Sequence, residues 1–335
     1  MRRTCPIFEQ SNPVQVGTDR RKGLKSLFAT AVAATLVLTG CSKGGADDTS
    51  AVDDASNGDV AVERVAAVGM GDGDTLMALG IKPVTVSAWG QEGDVDESGV
   101  GPWARELLGD AKPTVIYGAG TGFTPEILEK IASTDPDHII AVNAAVDEQA
   151  EDSLNKIAPT TLKPEGFEDW QVPWEDQVEQ ISEAVGKEQE GDKLIEETKS
   201  AFEKFRKEHS ELQGETAAVV MPYDGKIGIY TSGDGRGAFI ESLGFEIPEE
   251  IEGDGESFYR DVAPENYDIF NNVDHLFVLD YQGAVDELKK EPTFTNLDVV
   301  KDGRVKYISE DVGNAMSMPN PVTIPWAIGK INDSL

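Results

Sequence analysis

The chain has 335 residues, 29 Lys plus Arg, 62 Asp plus Glu and a formal net charge of −33, with a hydrophobic fraction of 39%. That apolar content supports a sizeable core and excludes wholesale disorder, and the length fits two domains or one large one. The acid excess excludes broad nucleic-acid binding, which needs clustered cations, and polybasic membrane association; two Cys and three His exclude a disulfide framework and a Cys- or His-rich metal site.

The first forty residues differ from the rest. Arg20, Arg21, Lys22 and Lys25 precede an uncharged run from Leu27 to Leu38, which ends in Leu38-Thr39-Gly40-Cys41. A basic cluster, a short apolar segment and small residues before a cut describe a secretory signal. The run falls short of the about 20 residues of a membrane span. The Leu-Thr-Gly-Cys ending resembles a bacterial lipobox, which implies cleavage before Cys41, a lipid on its sulfur and anchoring to the outer face of the cell membrane; the other reading is an ordinary signal with an incidental Cys. The Arg20-Arg21 pair partly resembles a twin-arginine signal, but the usual Phe is missing, which favours the general secretory route. Six basic against two acidic residues lie in 1–40, so their removal takes the net charge from −33 to −37. Residues 42–59 are Gly, Ser, Ala and Asp with little to bury, and read as a flexible tether.

From Val60 short strands alternate with short helices. Val62–Gly69 reads as strand, Asp74–Gly80 as helix with a Gly C-cap, Pro83–Trp89 as strand, Trp103–Gly109 as helix and Thr114–Gly118 as strand. Pro125–Ser133 (helix), His138–Asn143 (strand) and Ala150–Ala158 (helix) follow. This alternation argues for a mainly parallel sheet with both faces covered. Trp174–Val185 reads as a helix, and Glu188–Leu212 as one long helix with an apolar stripe through Leu194, Ile195, Thr198, Ala201, Phe202 and Phe205. After Gly214 the alternation resumes: Thr216–Pro222 and Lys226–Thr231 as strands, Ala238–Gly244 and Glu265–Asn272 as helices, His275–Tyr281 and Arg304–Ser309 as strands, Ile324–Ile331 as a closing helix. A weak repeat links Pro125-Glu126 with Asp137-His138 to Pro264-Glu265 with Asp274-His275. The expected fold is therefore α/β, with two similar lobes joined by one long helix. The boundaries are signal 1–40, lipidated Cys and tether 41–59, first lobe 60–186, linker helix 187–213 and second lobe 214–335.

Four segments carry a family resemblance. They are Asp74-Thr75-Leu76-Met77-Ala78-Leu79-Gly80-Ile81-Lys82-Pro83-Val84, Pro125-Glu126-Ile127-Leu128 running to Asp137-His138-Ile139-Ile140, Leu154-Asn155-Lys156-Ile157-Ala158-Pro159-Thr160, and Trp174 to Lys187. In order and spacing they resemble the helical-linker (class III) substrate-binding proteins of ABC importers, which handle ferric siderophores, haem and cobalamin; His138 departs from the usual Leu. The Ile-Ala-Pro-Thr segment tilts the resemblance to the iron-siderophore group. It implies a monomer with the ligand in the cleft between lobes and limited lobe motion. It also implies no resident cofactor, because the siderophore itself holds the iron. Delivery would be to permease subunits, through one exposed Glu on each lobe: Glu126 and Glu265.

Open α/β sheets bind ligands at the C-terminal ends of their strands. That rule nominates Trp89, Tyr117, Tyr230 and Tyr281, each at a strand end, with Met316 after the last strand and Arg236 as a cation able to stack on rings and donate to ligand oxygens. Core packing is the other reading for the aromatics, and a salt bridge for Arg236. Glu126 and Glu265 each follow a Pro, so a first-turn role at the helix dipole is open to both. No catalytic residue emerges. Gly118-Ala119-Gly120-Thr121-Gly122 lacks the ending of a P-loop, and no nucleophile elbow is present. His138 and His275 head buried strands and read as packing residues, not metal ligands. The competing classes are haem or cobalamin binding on the same fold (Tyr117 or Tyr230 could then serve as an axial ligand), a secreted α/β hydrolase, and a binder of a bare metal ion.

Overall fold

The computed structural model describes residues 63–88, 92, 95–253 and 257–335. Cys41 and Trp89 lie outside them. Val60–Leu335 forms one compact unit.

The first lobe runs β1 (Val65–Ala67), α1 (Asp72–Ala78), β2 (Thr85–Ser87), α2 (Arg105–Leu108), β3 (Thr114–Ile116), α3 (Pro125–Ser133), β4 (His138–Ala141), α4 (Glu148–Asn155), β5 (Thr160–Leu162) and α5 (Trp174–Ala184). Its strands form one all-parallel sheet in the order β3-β2-β1-β4-β5. Parallel strands covered on both faces are apolar throughout, as β1 (Val-Ala-Ala) and most of β4 (His-Ile-Ile-Ala) are, with Ile139 and Ile140 fully buried. Helix α3 starts on a Thr124 cap whose side chain accepts from the Ile127 N–H, with Pro125 at the first helical position.

Helix α6 (Glu188–Glu208) follows. Its first half packs on α5, closely enough that a Cβ on Gly191 would meet Ser182 Oγ at 2.3 Å. Its second half turns Phe202 edge-on to Phe239, ring centroids 5.6 Å apart, and packs on the C-terminal helix. The helix ends earlier than its stripe suggests. The Phe205 carbonyl takes the His209 N–H, Arg206 donates to the Ser242 carbonyl, and Ser210–Leu212 tighten into a 3-10 turn.

The second lobe runs β6 (Ala217–Tyr223), β7 (Lys226–Tyr230), α7 (Gly235–Ser242), α8 (Glu249–Glu252), β8 (Tyr259–Val262), a 3-10 segment (Pro264–Asn272), β9 (His275–Asp280), α9 (Ala284–Leu288), α10 (Pro292–Thr295), α11 (Asp298–Lys301), β10 (Val305–Ser309), α12 (Glu310–Ser317) and α13 (Thr323–Asn332). Its sheet order, β10-β9-β6-β7-β8, repeats the plan of the first lobe strand for strand, with one change: β7 runs antiparallel to β6. The cause is local. Asp224 (φ 45) and Gly225 (φ 77) form a two-residue left-handed turn that sends the chain straight back along β6. The sequence repeat coincides with this plan, since His138 pairs with Val65 on β1 and His275 with Ala217 on β6. The segment opened by Glu265 is 3-10, however, not α.

One face of the second sheet packs on the outer helices through Phe270, Val278 and Phe294. The other face shares a core with the first lobe. Met77, Val86, Trp103 and Leu108 of the first lobe join Phe202, Phe239, Phe277, Ile324 and Ile331. Trp103 meets Trp326 of α13 edge-on at 5.6 Å. Truncating Trp103 to Ala belongs to the class of core changes that cost about 3–5 kcal/mol.

Candidate functional site

The lobes meet at the C-terminal ends of the central strands of the first sheet. Past β1 and β4, the Asn143 side-chain amide donates to the Met70 carbonyl (3.0 Å) and approaches Met318 Sδ of the second lobe (3.1 Å). In the first turn of α1, Asp74 Oδ2 accepts from Trp103 Nε1 (2.7 Å) and from Asn320 Nδ2 of the second lobe (3.2 Å). Asn320 in turn accepts the Val322 and Thr323 N–H groups ahead of α13. Asp72 accepts from the Val142 and Asn143 N–H groups and from Gln177 Nε2 (2.9 Å), binding α1 to β4 and α5. Burial pushes both carboxyls up to about 6, although their hydrogen bonds pull the other way. Neither forms an ion pair among the described residues.

A set of half-buried residues packs on the shared core: Met70, Met318, Trp174, Tyr223, Tyr259 and Tyr281. Tyr223 and Tyr259 stand 5.7 Å apart and Tyr259 and Tyr230 5.8 Å apart, a row of three rings across neighbouring strands. Gly228 makes room for the row, because a Cβ there would lie 2.1 Å from the Tyr259 ring. Gly228→Ala should therefore displace Tyr259 and cost about 1–3 kcal/mol, the usual penalty of overpacking, measured by urea unfolding. Wild-type stability and unchanged tyrosine fluorescence in that variant would contradict the packing described. The Tyr223 hydroxyl donates to Asp261, which also takes Lys226 Nζ at 2.9 Å. Burial raises both phenols, and hydrogen bonding to Asp261 raises them further. The Tyr223 and Tyr259 phenols are thus held in their neutral form, and the Tyr259 hydroxyl is buried.

The residues nominated from the sequence divide. Tyr117 follows β3 and is half-buried beside the glycine loop. Trp170 lies on that loop against Gly120, held in a left-handed backbone conformation (φ 66) rare for a bulky residue. Tyr281 follows β9 and is half-buried, its hydroxyl accepting from Gln282 Nε2. Tyr230 is only 4% exposed. With β7 reversed, its strand end points away from those of β6 and β9, so the strand-end rule that nominated it does not apply; its hydroxyl contacts Met221 Sδ at 3.4 Å. Met316 is 0% exposed and belongs to the core; Met318, two residues on, is the one at the seam. The Arg236 side chain is 15% exposed, lies 4.2 Å over the Tyr230 ring and is matched by both Asp234 oxygens at 3.1 Å, the salt-bridge alternative for this residue. Among the described residues its Nε has no hydrogen-bond partner.

His138 bonds Thr161 Oγ1 (2.8 Å) and His275 bonds Glu215 Oε2 (2.6 Å), and among the described residues no His, Cys, Asp and Glu cluster could hold a metal. Glu126 lies in the first turn of α3 with its side chain 81% exposed, 3.6 Å from Lys130. Glu265 is exposed in the first turn of the 3-10 segment. Each follows the third strand of its lobe and precedes the fourth.

The family model described as periplasmic binding protein matches residues 63–312. A periplasmic solute binding protein from Mycobacterium smegmatis is 25% identical, with a TM-score of 0.71 over 82% of this chain and 92% of that one. The iron uptake ABC transporter substrate-binding protein PiaA from Streptococcus pneumoniae, in complex with ferrichrome, is 28% identical, with a TM-score of 0.66 over 83% of this chain and 93% of that one. FhuD2 from Staphylococcus aureus with bound ferrioxamine B shares the fold at 19% identity, with a TM-score of 0.62 over 81% and 97%. No curated protein sequence matches the chain.

Proposed function

Because this chain belongs to the periplasmic binding protein family over residues 63–312, we propose that it is the substrate-binding component of an ABC importer, taking a ferric siderophore into the seam between its lobes and presenting it to a membrane permease. The observation that carries this assignment is the 28% identity, over 93% of its length, to the PiaA chain in complex with ferrichrome. The chemistry of the seam agrees. Aromatic faces, thioethers and phenolic O–H groups suit a ligand whose own oxygens enclose the metal. The protein then needs no resident cofactor and performs no catalysis.

The ligand-facing set is Tyr117, Tyr281, Tyr223, Met70 and Met318. Tyr230, Arg236 and Met316 support it from beneath. Glu126 and Glu265 are the contacts to the permease, one per lobe. Lipid on Cys41 holds the body at the outer face of the membrane; among the described residues no helix is long and apolar enough to cross it. The acid surplus favours neutral or cationic ferric hydroxamates over strongly anionic catecholates.

Titration of tryptophan fluorescence separates the alternatives. A ferric trihydroxamate should quench saturably, with a Kd of about 1 μM or tighter. Saturation by haem or cobalamin alone would move the assignment to those ligands on the same fold. Hydrolysis of generic esters, with no ferric ligand bound, would replace it with an enzyme.

A further inference from the structure

The first lobe contains a cavity of about 220 Å³ that none of the groups above occupies. It opens at the C-terminal ends of β4 and β5, whose last residues, Ala141 and Leu162, are register partners. Ala144 forms another wall, one residue after the Asn143 that meets Met318, so the cavity lies beside the seam. The loop after β5 closes it with Phe167, turning through Gly166 (φ 94). An ion pair between Lys163 and Asp169 joins the two ends of that loop.

Size and charge together select an occupant. A dry cavity of about 150 Å³ with aliphatic walls already holds a benzene ring. This one therefore has room for a chain of about five carbons and a polar head. Its lining carries two charges, Lys163 and Glu165. Lys163 and Asp169 neutralise each other, which leaves the exposed Glu165 as the one uncompensated charge among the lining residues. An anionic head would face that carboxylate in a protein of net charge −33; an ammonium would be drawn to it. We infer that this cavity is an arm subsite for a primary alkylammonium group, the aliphatic stem lying between Ala141, Ala144, Leu162 and Phe167 and the ammonium meeting Glu165. It rests on the proposed function in one respect, that the arm belongs to the ligand in the seam. That ligand is then a ferric complex bearing a free amine.

Two kinds of probe keep the two readings apart. The first is n-pentylammonium alone, followed by isothermal titration against the intact chain, with 1-pentanol and pentanoate as controls. Saturable binding of the amine, weaker binding of the alcohol and none of the acid is the expected order. Glu165→Gln should weaken the amine about fivefold, the worth of one exposed ion pair, and leave the alcohol unchanged. Val146→Trp, at a half-buried lining position, should fill the cavity and abolish both while leaving the unfolding midpoint near wild type. Equal binding of the acid, no effect of Glu165→Gln, or no saturable binding of the amine would overturn the subsite. The second probe is a ferric trihydroxamate with a terminal primary amine, compared with the same complex acetylated on that nitrogen. Tighter binding of the free amine, lost in Glu165→Gln, supports the arm assignment; equal binding refutes it. If neither complex binds, the proposed function fails, while the pentylammonium result still decides the cavity.

Discussion

Reversing both proposed docking charges, Glu126→Lys with Glu265→Lys, should reduce ligand-dependent iron uptake by about a hundredfold and leave ligand affinity within about twofold of wild type, since a desolvated interfacial charge pair that loses one partner costs about 2–5 kcal/mol. The two carboxylates sit on equivalent connections of the two lobes, each between the third and fourth strands, so one permease surface can engage both. Among the described residues Glu265 forms no ion pair, and Glu126 forms one weak one. The Lys130 contact at 3.6 Å, with the Glu126 side chain 81% exposed, is a surface pair worth at most a few tenths of a kcal/mol and is readily exchanged for a permease cation. The folding cost of each reversal is a first-turn charge at a helix N-terminus, about 0.3–1 kcal/mol. The double variant should therefore fold, bind ligand and fail only at delivery. Normal uptake by the folded double variant would refute the docking role; loss of ligand affinity would place the carboxylates in the binding site instead.

The symmetry behind that pairing was legible before any coordinates, because Pro-Glu and Asp-His recur at matching points of both halves and the second member of each pair begins the strand that joins the central one. The reversal of β7 was also written locally, in Asp224-Gly225 between two β-rich runs, the strongest short hairpin signal there is. Reading Lys226–Thr231 as one more strand in a parallel series passed over it, and with it went the placement of Tyr230. Strands β5 and β8 were missed for another reason. Three or four residues with mixed burial, such as Thr160–Leu162, carry neither a clear alternation nor an apolar run. Met316 and Met318 are indistinguishable by composition, and only the turn after α12 decides that the first is core and the second meets Asn143. Asp72 and Asp74 give no local sign of burial either. They look like ordinary acids in the first turn of a helix, and it takes β4, α5, Trp103 and Asn320, from up to 246 residues away, to enclose them.

Those two acids make the stability of this protein rise on mild acidification. A carboxyl raised from 3.8 to about 6 by burial favours the folded state when protonated. The stabilisation is fully present below the unfolded pKa near 4 and is lost as pH rises through about 6. A shift of this size corresponds to about 3 kcal/mol for each acid. His138, lowered by burial, works the other way, and so do Asp96, Asp261 and Asp274, held low by hydrogen bonds, but His138 is half-buried and the three acids are exposed, so solvent screening discounts them. Relief of charge repulsion among the many surface acids would also raise stability at low pH, and a single variant separates the two causes. Both donors to Asp74, Trp103 and Asn320, reach the same oxygen, Oδ2. An Asn can keep both bonds with its Oδ1 and turn its amide toward the water-sized cavity of about 10 Å³ lined by Gly71, Ser87 and Gly99. At Asp72 both oxygens already accept, so Asn there would set donor against donor. Asp74→Asn should accordingly be more stable than wild type by about 1–3 kcal/mol near pH 7.5, with the gap closing near pH 4.5. Urea unfolding across that range, at low and high salt, reads both effects: general repulsion is screened by salt, whereas the penalty of a buried carboxylate is not. If Asp74→Asn parallels wild type at every pH, and salt removes the slope from both, the charge that matters is on the surface and not in the seam between the lobes.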